Sequence, residues 1–206
     1  MLKKRGILLV LSGPSGAGKG TVTNEVRKSS DTIKYSISAT SRKPRIIERD
    51  GREYFFMSRE TFEEKIEAGK FLEYALVYDN YYGTPRDYVE QILEEGYDCI
   101  LEIDPQGAMQ IKEKMQDAIF IFIAPPSMEE LCNRLTSRGT EKPEEIAKRL
   151  GNAEKEFKNL PNYDYVIIND KIEKAKDEVL AIMTAEKLKT SRNYETMNLL
   201  NKGALS

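Results

Sequence analysis

The stretch GILLVLSGPSGAGKGTVTNEVRK, residues Gly6 to Lys28, decides how this chain is read. An unbroken apolar run, Ile7 to Leu11, gives way to Gly13-Pro14-Ser15-Gly16-Ala17-Gly18-Lys19, and Val22 and Val26 then recur at helical spacing. A G-x-x-x-x-G-K pattern set between a strand and a helix is a phosphate cradle. Its glycines let successive backbone N–H groups point into one concavity, because no Cβ blocks the approach. The start of the helix adds unpaired N–H groups and the positive end of its dipole. Lys19 supplies a compact charge for the outer phosphates. One position departs from the usual pattern. Gly20 stands where a Ser or Thr hydroxyl normally meets Mg²⁺, and the nearest hydroxyl is that of Thr21. The metal contact is therefore left to Thr21 or to a bound water.

Composition narrows the rest. The chain has 206 residues, 40% hydrophobic and 32% charged, with a net charge of −2. That supplies one large core with insertions, and argues against a nucleic-acid-binding face built on bulk charge. No apolar run approaches the length of a membrane span. Cys99 and Cys132 form no metal or redox spacing, and read as free thiols in a reducing, cytoplasmic setting. The chain has no histidine, so its chemistry runs without imidazole.

The fold class expected is α/β, a parallel sheet flanked by helices. Apolar runs at Ile7–Leu11, Cys99–Ile103, Ile119–Ala124 and Tyr165–Ile168 read as buried parallel strands, with Ile33–Ser38 as a fifth. Helical patterns follow at Gln106–Met115 and Ile172–Lys189. Two segments interrupt this core, which is thus expected to comprise residues 1–38, 92–126 and 161–206. Residues 39–91 read as a small α+β insertion. In it Ser58 caps a helix stopped by Gly69, and Thr84 with Pro85 opens another ending at Gly96. Residues 127–160 read as a helical hairpin opened by the capping box Ser127-Met128-Glu129-Glu130, able to close as a lid.

Several side-chain sets suit phosphate and base chemistry. Arg42 and Arg45 lie close together in Ser38-Ala39-Thr40-Ser41-Arg42-Lys43-Pro44-Arg45, and their forks with neighbouring hydroxyls suit a phosphate monoester. Arg134 and Arg138 share a helix face, and Arg149 lies on the next helix. On a mobile hairpin these are a clamp for a transferred phosphoryl group. Tyr54, Glu73, Tyr81, Tyr82 and Thr84 combine aromatic rings with a carboxylate, which can stack on and read a base. Glu102 and Asp104 close an apolar strand where an acid commonly faces a metal. A phosphate-monoester acceptor, with a second pKa of about 6, needs no general base at neutral pH, which fits the missing histidine.

The whole series resembles guanylate kinase. The motifs are Gly13–Thr21, Ser41-Arg42-Lys43-Pro44-Arg45, Phe71-Leu72-Glu73-Tyr74-Ala75, Asn80-Tyr81-Tyr82-Gly83-Thr84, Leu101-Glu102-Ile103-Asp104 with Gln106-Gly107, Ala124-Pro125-Pro126-Ser127, Arg138-Gly139-Thr140-Glu141 and Val166-Ile167-Ile168-Asn169-Asp170. The resemblance implies ATP + GMP ⇌ ADP + GDP with Mg²⁺, on a P-loop core with a GMP-binding insertion and a lid. It implies that Gly13, Pro14, Ser15, Gly16, Ala17, Gly18, Lys19, Gly20 and Thr21 hold the ATP phosphates, with Asn169 by the adenine. Arg42, Arg45, Tyr54 and Tyr82, with Ser38 nearby, would hold the GMP phosphate. Glu73, Thr84 and Asp104 would contact or support the guanine, and Glu102 would do likewise or organise Mg²⁺ waters. Arg134, Arg138 and Arg149 would stabilise the transferred group. Asp79 replaces a glycine expected before Asn80, which matters only if that turn needs φ > 0.

Overall fold

A computed structural model describes residues 4–137 and 143–193. In chain order the elements begin β1 (Leu8–Ser12), α1 (Lys19–Lys28), β2 (Ile33–Tyr35), β3 (Ala39–Thr40), β4 (Phe55–Phe56) and α2 (Arg59–Glu67). There follow β5 (Phe71–Val77), β6 (Asn80–Pro85), α3 (Arg86–Glu94), β7 (Asp98–Glu102), α4 (Pro105–Lys114) and β8 (Ile119–Ala124). The chain continues through α5 (Met128–Thr136), α6 (Pro143–Phe157), a 3-10 turn at Leu160–Asn162, β9 (Tyr165–Ile168) and α7 (Ile172–Leu188).

The main sheet is parallel throughout, in the order β2-β7-β1-β8-β9. Side chains of β1 alternate between its two faces. Leu9 and Leu11 pack with Val22 and Val26 of α1 and Ala175, Val179 and Met183 of α7. Leu8 and Val10 pack with Val89, Ile92 and Leu93 of α3 and Ala108 and Ile111 of α4. A parallel sheet covered on both faces needs apolar residues at every position, which is why β1 and β8 read as unbroken runs.

A second sheet has the order β4-β3-β6-β5. Phe62 of α2 holds it, stacked between Phe71 at 4.2 Å and Tyr81 at 5.2 Å. Ser58 caps α2 by accepting Thr61 N–H at 3.1 Å, and Ser127 caps α5 by accepting Glu130 N–H at 3.0 Å, both as the sequence indicates. Leu131 and Leu135 of α5 pack on Ala153 and Leu150 of α6, while Phe157 at the end of α6 meets Phe122 of β8 at 5.6 Å.

Two local expectations change. The strand expected over Ile33–Ser38 ends at Tyr35, and Ala39–Thr40 pairs in the second sheet instead, so the chain changes sheets at residues 36–38. Thr84 does not cap a helix. It lies in β6, Pro85 occupies the cap position of α3 without a side-chain cap, and the Thr84 hydroxyl bonds Glu73.

The β5–β6 hairpin turns on Tyr78 and Asp79, between the paired residues Val77 and Asn80. Both have left-handed φ, 45° and 64°. The turn thus needs the conformation that glycine adopts freely, and two bulky residues hold it at a cost. Replacing Tyr78-Asp79 by Asn-Gly should stabilise the protein by about 1 kcal/mol, raising Tm by roughly 2–4 °C. A thermal melt reads this directly, and an unchanged or lower Tm contradicts it.

Candidate active site

The glycine loop leaves the C-terminal end of β1 and enters α1, the edge where parallel α/β sheets bind ligands. Its backbone is packed too tightly for side chains at key points. A Cβ at Gly13, where φ is 135°, would lie 2.1 Å from Ile123 O. At Gly18, φ 89°, it would lie 2.4 Å from Asn169 Nδ2. That same Asn169 amide donates to Ala17 O at 2.9 Å, and Arg134 donates to Asn169 O at 2.9 Å. Residues from β9's end and from α5 thus clasp the loop. Arg149 of α6 reaches it as well, donating to Ser15 Oγ at 3.2 Å. Arg138 lies outside the described residues.

Lys19 lies back on the loop, its Nζ donating to Gly13 O at 2.6 Å and Pro14 O at 3.1 Å. Burial lowers its pKa, and Glu102, Glu156 and Asp104 oppose that shift. Glu156, on α6, has a buried Oε2 with no hydrogen-bond donor among the described residues, and burial raises its pKa. Gly20 explains itself here. A Cβ at that position would stand 3.3 Å from both carboxylate oxygens of Glu102, so the acid occupies the side where a hydroxyl would project. Burial raises the Glu102 pKa and Lys19 opposes it. Thr21 is exposed on α1. Among the described residues no three metal-ligating side chains gather closely enough to chelate a cation.

The second sheet carries the other set of candidate residues. Glu73 keeps only 8% of its surface exposed, and Thr84 donates to its Oε1 at 2.7 Å. Burial pushes the Glu73 carboxyl up to about 7, against the Thr84 bond and Lys114, and with help from Asp104. Asp104 caps α4, accepting Gly107 N–H at 2.8 Å. Gly107 also gives Glu73 room, since a Cβ there would be 3.3 Å from Glu73 Oε2.

Nearby, Arg42 Nε donates to the Tyr82 hydroxyl at 3.3 Å, and the Arg42 guanidinium lies 5.7 Å from the Tyr54 ring. Tyr54 meets Tyr82 edge-on at 5.9 Å. Ser38 sits just before β3, its carbonyl accepting Phe55 N–H at 2.9 Å. Arg45 projects from the same loop and its guanidinium makes no hydrogen bond among the described residues.

Sequence reasoning missed Glu48, which takes Arg42 in an ion pair at 2.9 Å, and Glu156. An acid three residues after Arg45 was the only signal for the first, and helix phase relative to Arg149 for the second. A separate cleft of about 1010 Å³, lined by Arg5, Asp98, Glu186, Lys187 and Arg192, lies at the N-terminal end of β1. Its charges pair with one another, Lys187 with Asp98 and Arg192 with Glu186, and it is remote from the glycine loop.

A glycine loop of this form at the carboxyl edge of a parallel sheet, in a chain that also carries an arginine-tyrosine cluster and a buried carboxylate, fits a P-loop phosphotransferase. The guanylate kinase family model matches residues 5–186. Guanylate kinase of Clostridioides difficile is 54% identical over 93% of this chain and 94% of its own length. That of Caldanaerobacter subterraneus is 53% identical over 94% of each. The crystal structure of guanylate kinase from Anaplasma phagocytophilum superposes with a TM-score of 0.71 at 38% identity, covering 93% of this chain and 92% of that one. The chain belongs to the guanylate kinase family, and its activity is the ATP-dependent phosphorylation of GMP to GDP.

The raised Glu73 carboxyl has a stability consequence. The folded state holds this proton to about pH 7, the unfolded chain only to about 4.5. Its contribution to stability is therefore full below about 4.5 and is lost as pH rises through 7, by at most about 3 kcal/mol. Glu73→Gln removes the charge and keeps an acceptor for Thr84. The ligand-free variant should melt a few degrees above wild type at pH 8 and near it at pH 5. A variant less stable than wild type at pH 8 would contradict the assigned burial cost.

Proposed function

We propose that ATP lies along the glycine loop and GMP in the cleft beside the second sheet, with roles divided as follows. Lys19 and the loop amides hold the ATP phosphates, and Asn169 borders the adenine. Arg42, Arg45, Tyr54 and Tyr82 take the GMP phosphate, and Glu73 and Asp104 read the guanine. Arg134 and Arg149, and Arg138 beyond the described residues, stabilise the transferred group. Residues 39–91 act as the GMP-binding unit, and 127–160 as a lid hinged where Phe157 packs on Phe122. The free, buried Cys99 and partly buried Cys132 suit a cytoplasmic enzyme. Among the described residues no helix is long and apolar enough to cross a membrane.

Glu73 carries this reading. A carboxylate so buried, with donors from Thr84 alone and no contacting cation, is expensive unless a ligand supplies more. Guanine offers N1–H and the exocyclic amine. Thr84 spends its proton on Glu73, so its oxygen offers lone pairs to the guanine amine rather than a proton to O6. Adenine has a lone pair at N1, which would face the carboxylate unpaired.

The P-loop residues fit a magnesium ion of the usual kind, held mainly by phosphates and water. Glu102, beside Gly20 and Lys19, is the carboxylate placed to receive its waters, and Thr21 is the alternative hydroxyl. When bound, the ion neutralises phosphate charge. The chain's own groups orient the two substrates in line. The GMP phosphate attacks without a general base because it is already largely ionised at neutral pH.

Mismatched buried polar groups cost about 1–3 kcal/mol each, so kcat/KM for GMP should exceed that for AMP by about 10³-fold or more. Because Glu73 must be ionised to accept from guanine, kcat/KM for GMP should fall as pH drops below about 7. The GMP phosphate titrates nearby, so Glu73→Gln is the control, retaining only that second dependence. KM for ATP should change little in the variant. Comparable wild-type values for GMP and AMP would defeat the assignment of Glu73.

A further inference from the structure

The loop after β3 inverts the ordinary distribution of side chains. Ile46 and Ile47 project into solvent, at 105% and 81% exposure, while the Glu48 side chain keeps 11%. Aliphatic residues usually go inward and carboxylates outward. Here the backbone turns so that Glu48 points in. Glu48 N–H donates to Arg45 O at 3.0 Å, and the Glu48 carboxylate accepts Arg45 N–H at 2.7 Å.

That carboxylate also receives Arg42 Nη2 with both oxygens, at 2.9 and 3.0 Å. Arg42 Nη1 donates to Lys43 O at 2.8 Å and its Nε to Tyr82 Oη at 3.3 Å. The guanidinium plane is held from three sides before any ligand arrives. Tyr82, acting as acceptor, keeps its own O–H proton to donate. The Arg45 fork stays uncommitted. Glu48 thus ties together three of the four groups assigned to the acceptor's phosphate, Arg42 and Arg45 directly and Tyr82 through Arg42.

We propose that Glu48 is a positioning residue for the acceptor's phosphate, remaining on Arg42 while GMP binds and holding Arg42, Arg45 and Tyr82 in their receiving geometry. This rests on the reading of that cluster as the phosphate subsite. A displaceable stand-in for phosphate would be a different device. The backbone bond to Arg45 argues for a fixed part, since displacing the carboxylate would also open the turn. The cluster of Arg42, Arg45 and Glu48 keeps a net positive charge toward a dianion. An arginine ordered in advance loses less entropy when the ligand arrives.

The test compares Glu48→Gln, Glu48→Asp and Arg45→Ala in full-length protein. The readouts are KM for GMP, KM for ATP, kcat, and calorimetric affinities for GMP and guanosine. Losing a charge-assisted bond should raise KM for GMP in Glu48→Gln by about tenfold or more. KM for ATP and guanosine affinity should stay unchanged, with kcat within about threefold. Glu48→Asp should recover part of the loss, which a merely structural role would not require. Arg45→Ala should erase most of the preference for GMP over guanosine. If Arg45→Ala does so while Glu48→Gln leaves KM for GMP unchanged or lower, Glu48 is not a positioning residue and the proposal is overturned. If Arg45→Ala leaves the preference intact, the phosphate reading beneath it fails first. Should Glu48→Gln fail to fold, Glu48→Asp decides, and a KM for GMP equal to wild type in that shortened side chain overturns the proposal.

Discussion

The protein depends on the backbone geometry that its surroundings impose on the glycine loop at the end of β1. The close approach of Gly13 to Ile123 and the clasp of Asn169 and Arg134 on Ala17 and its neighbours impose it. The sheet order explains why these residues meet. β8 and β9 lie in succession beside β1, so residues remote in sequence end at one edge.

The cleft separates two electrostatic regimes. On the loop side, desolvation works against the Lys19 ammonium while three acids favour it. On the second-sheet side, desolvation works against Glu73, with the Thr84 hydroxyl and backbone and the Lys114 charge in its favour. Burial thus disfavours the charged form of each group. In the roles proposed above, a ligand with phosphates at one end and ring N–H donors at the other would relieve both.

Local signals were readable wherever one short segment sets the outcome. The strand–loop–helix of residues 6–28, and the serine caps at Ser58 and Ser127, need no distant partner. The Thr84-Pro85 pair misled because two local rules fit it equally: it reads as a helix start, yet pairing of β6 with β5 and the demand of Glu73 for a donor take precedence. The sheet change at residues 36–38 and the Glu48–Arg42 pair have no periodic trace, since both are decided by contacts across the fold. Gly20 was noticed as a departure, but its reason, the Glu102 carboxylate alongside, is visible only in three dimensions.

Lys19 is the point through which the cradle acts on the reaction. Its ammonium donates to two loop carbonyls, Gly13 O and Pro14 O, so it lies against the loop to which the ATP phosphates are assigned. Steady-state turnover of GMP and ATP by Lys19→Met, alongside its far-UV circular dichroism and thermal melt, measures this most directly. The expected result is a folded protein with kcat lower by about 100-fold or more. A folded variant with near-normal kcat would contradict the catalytic role assigned to the cradle.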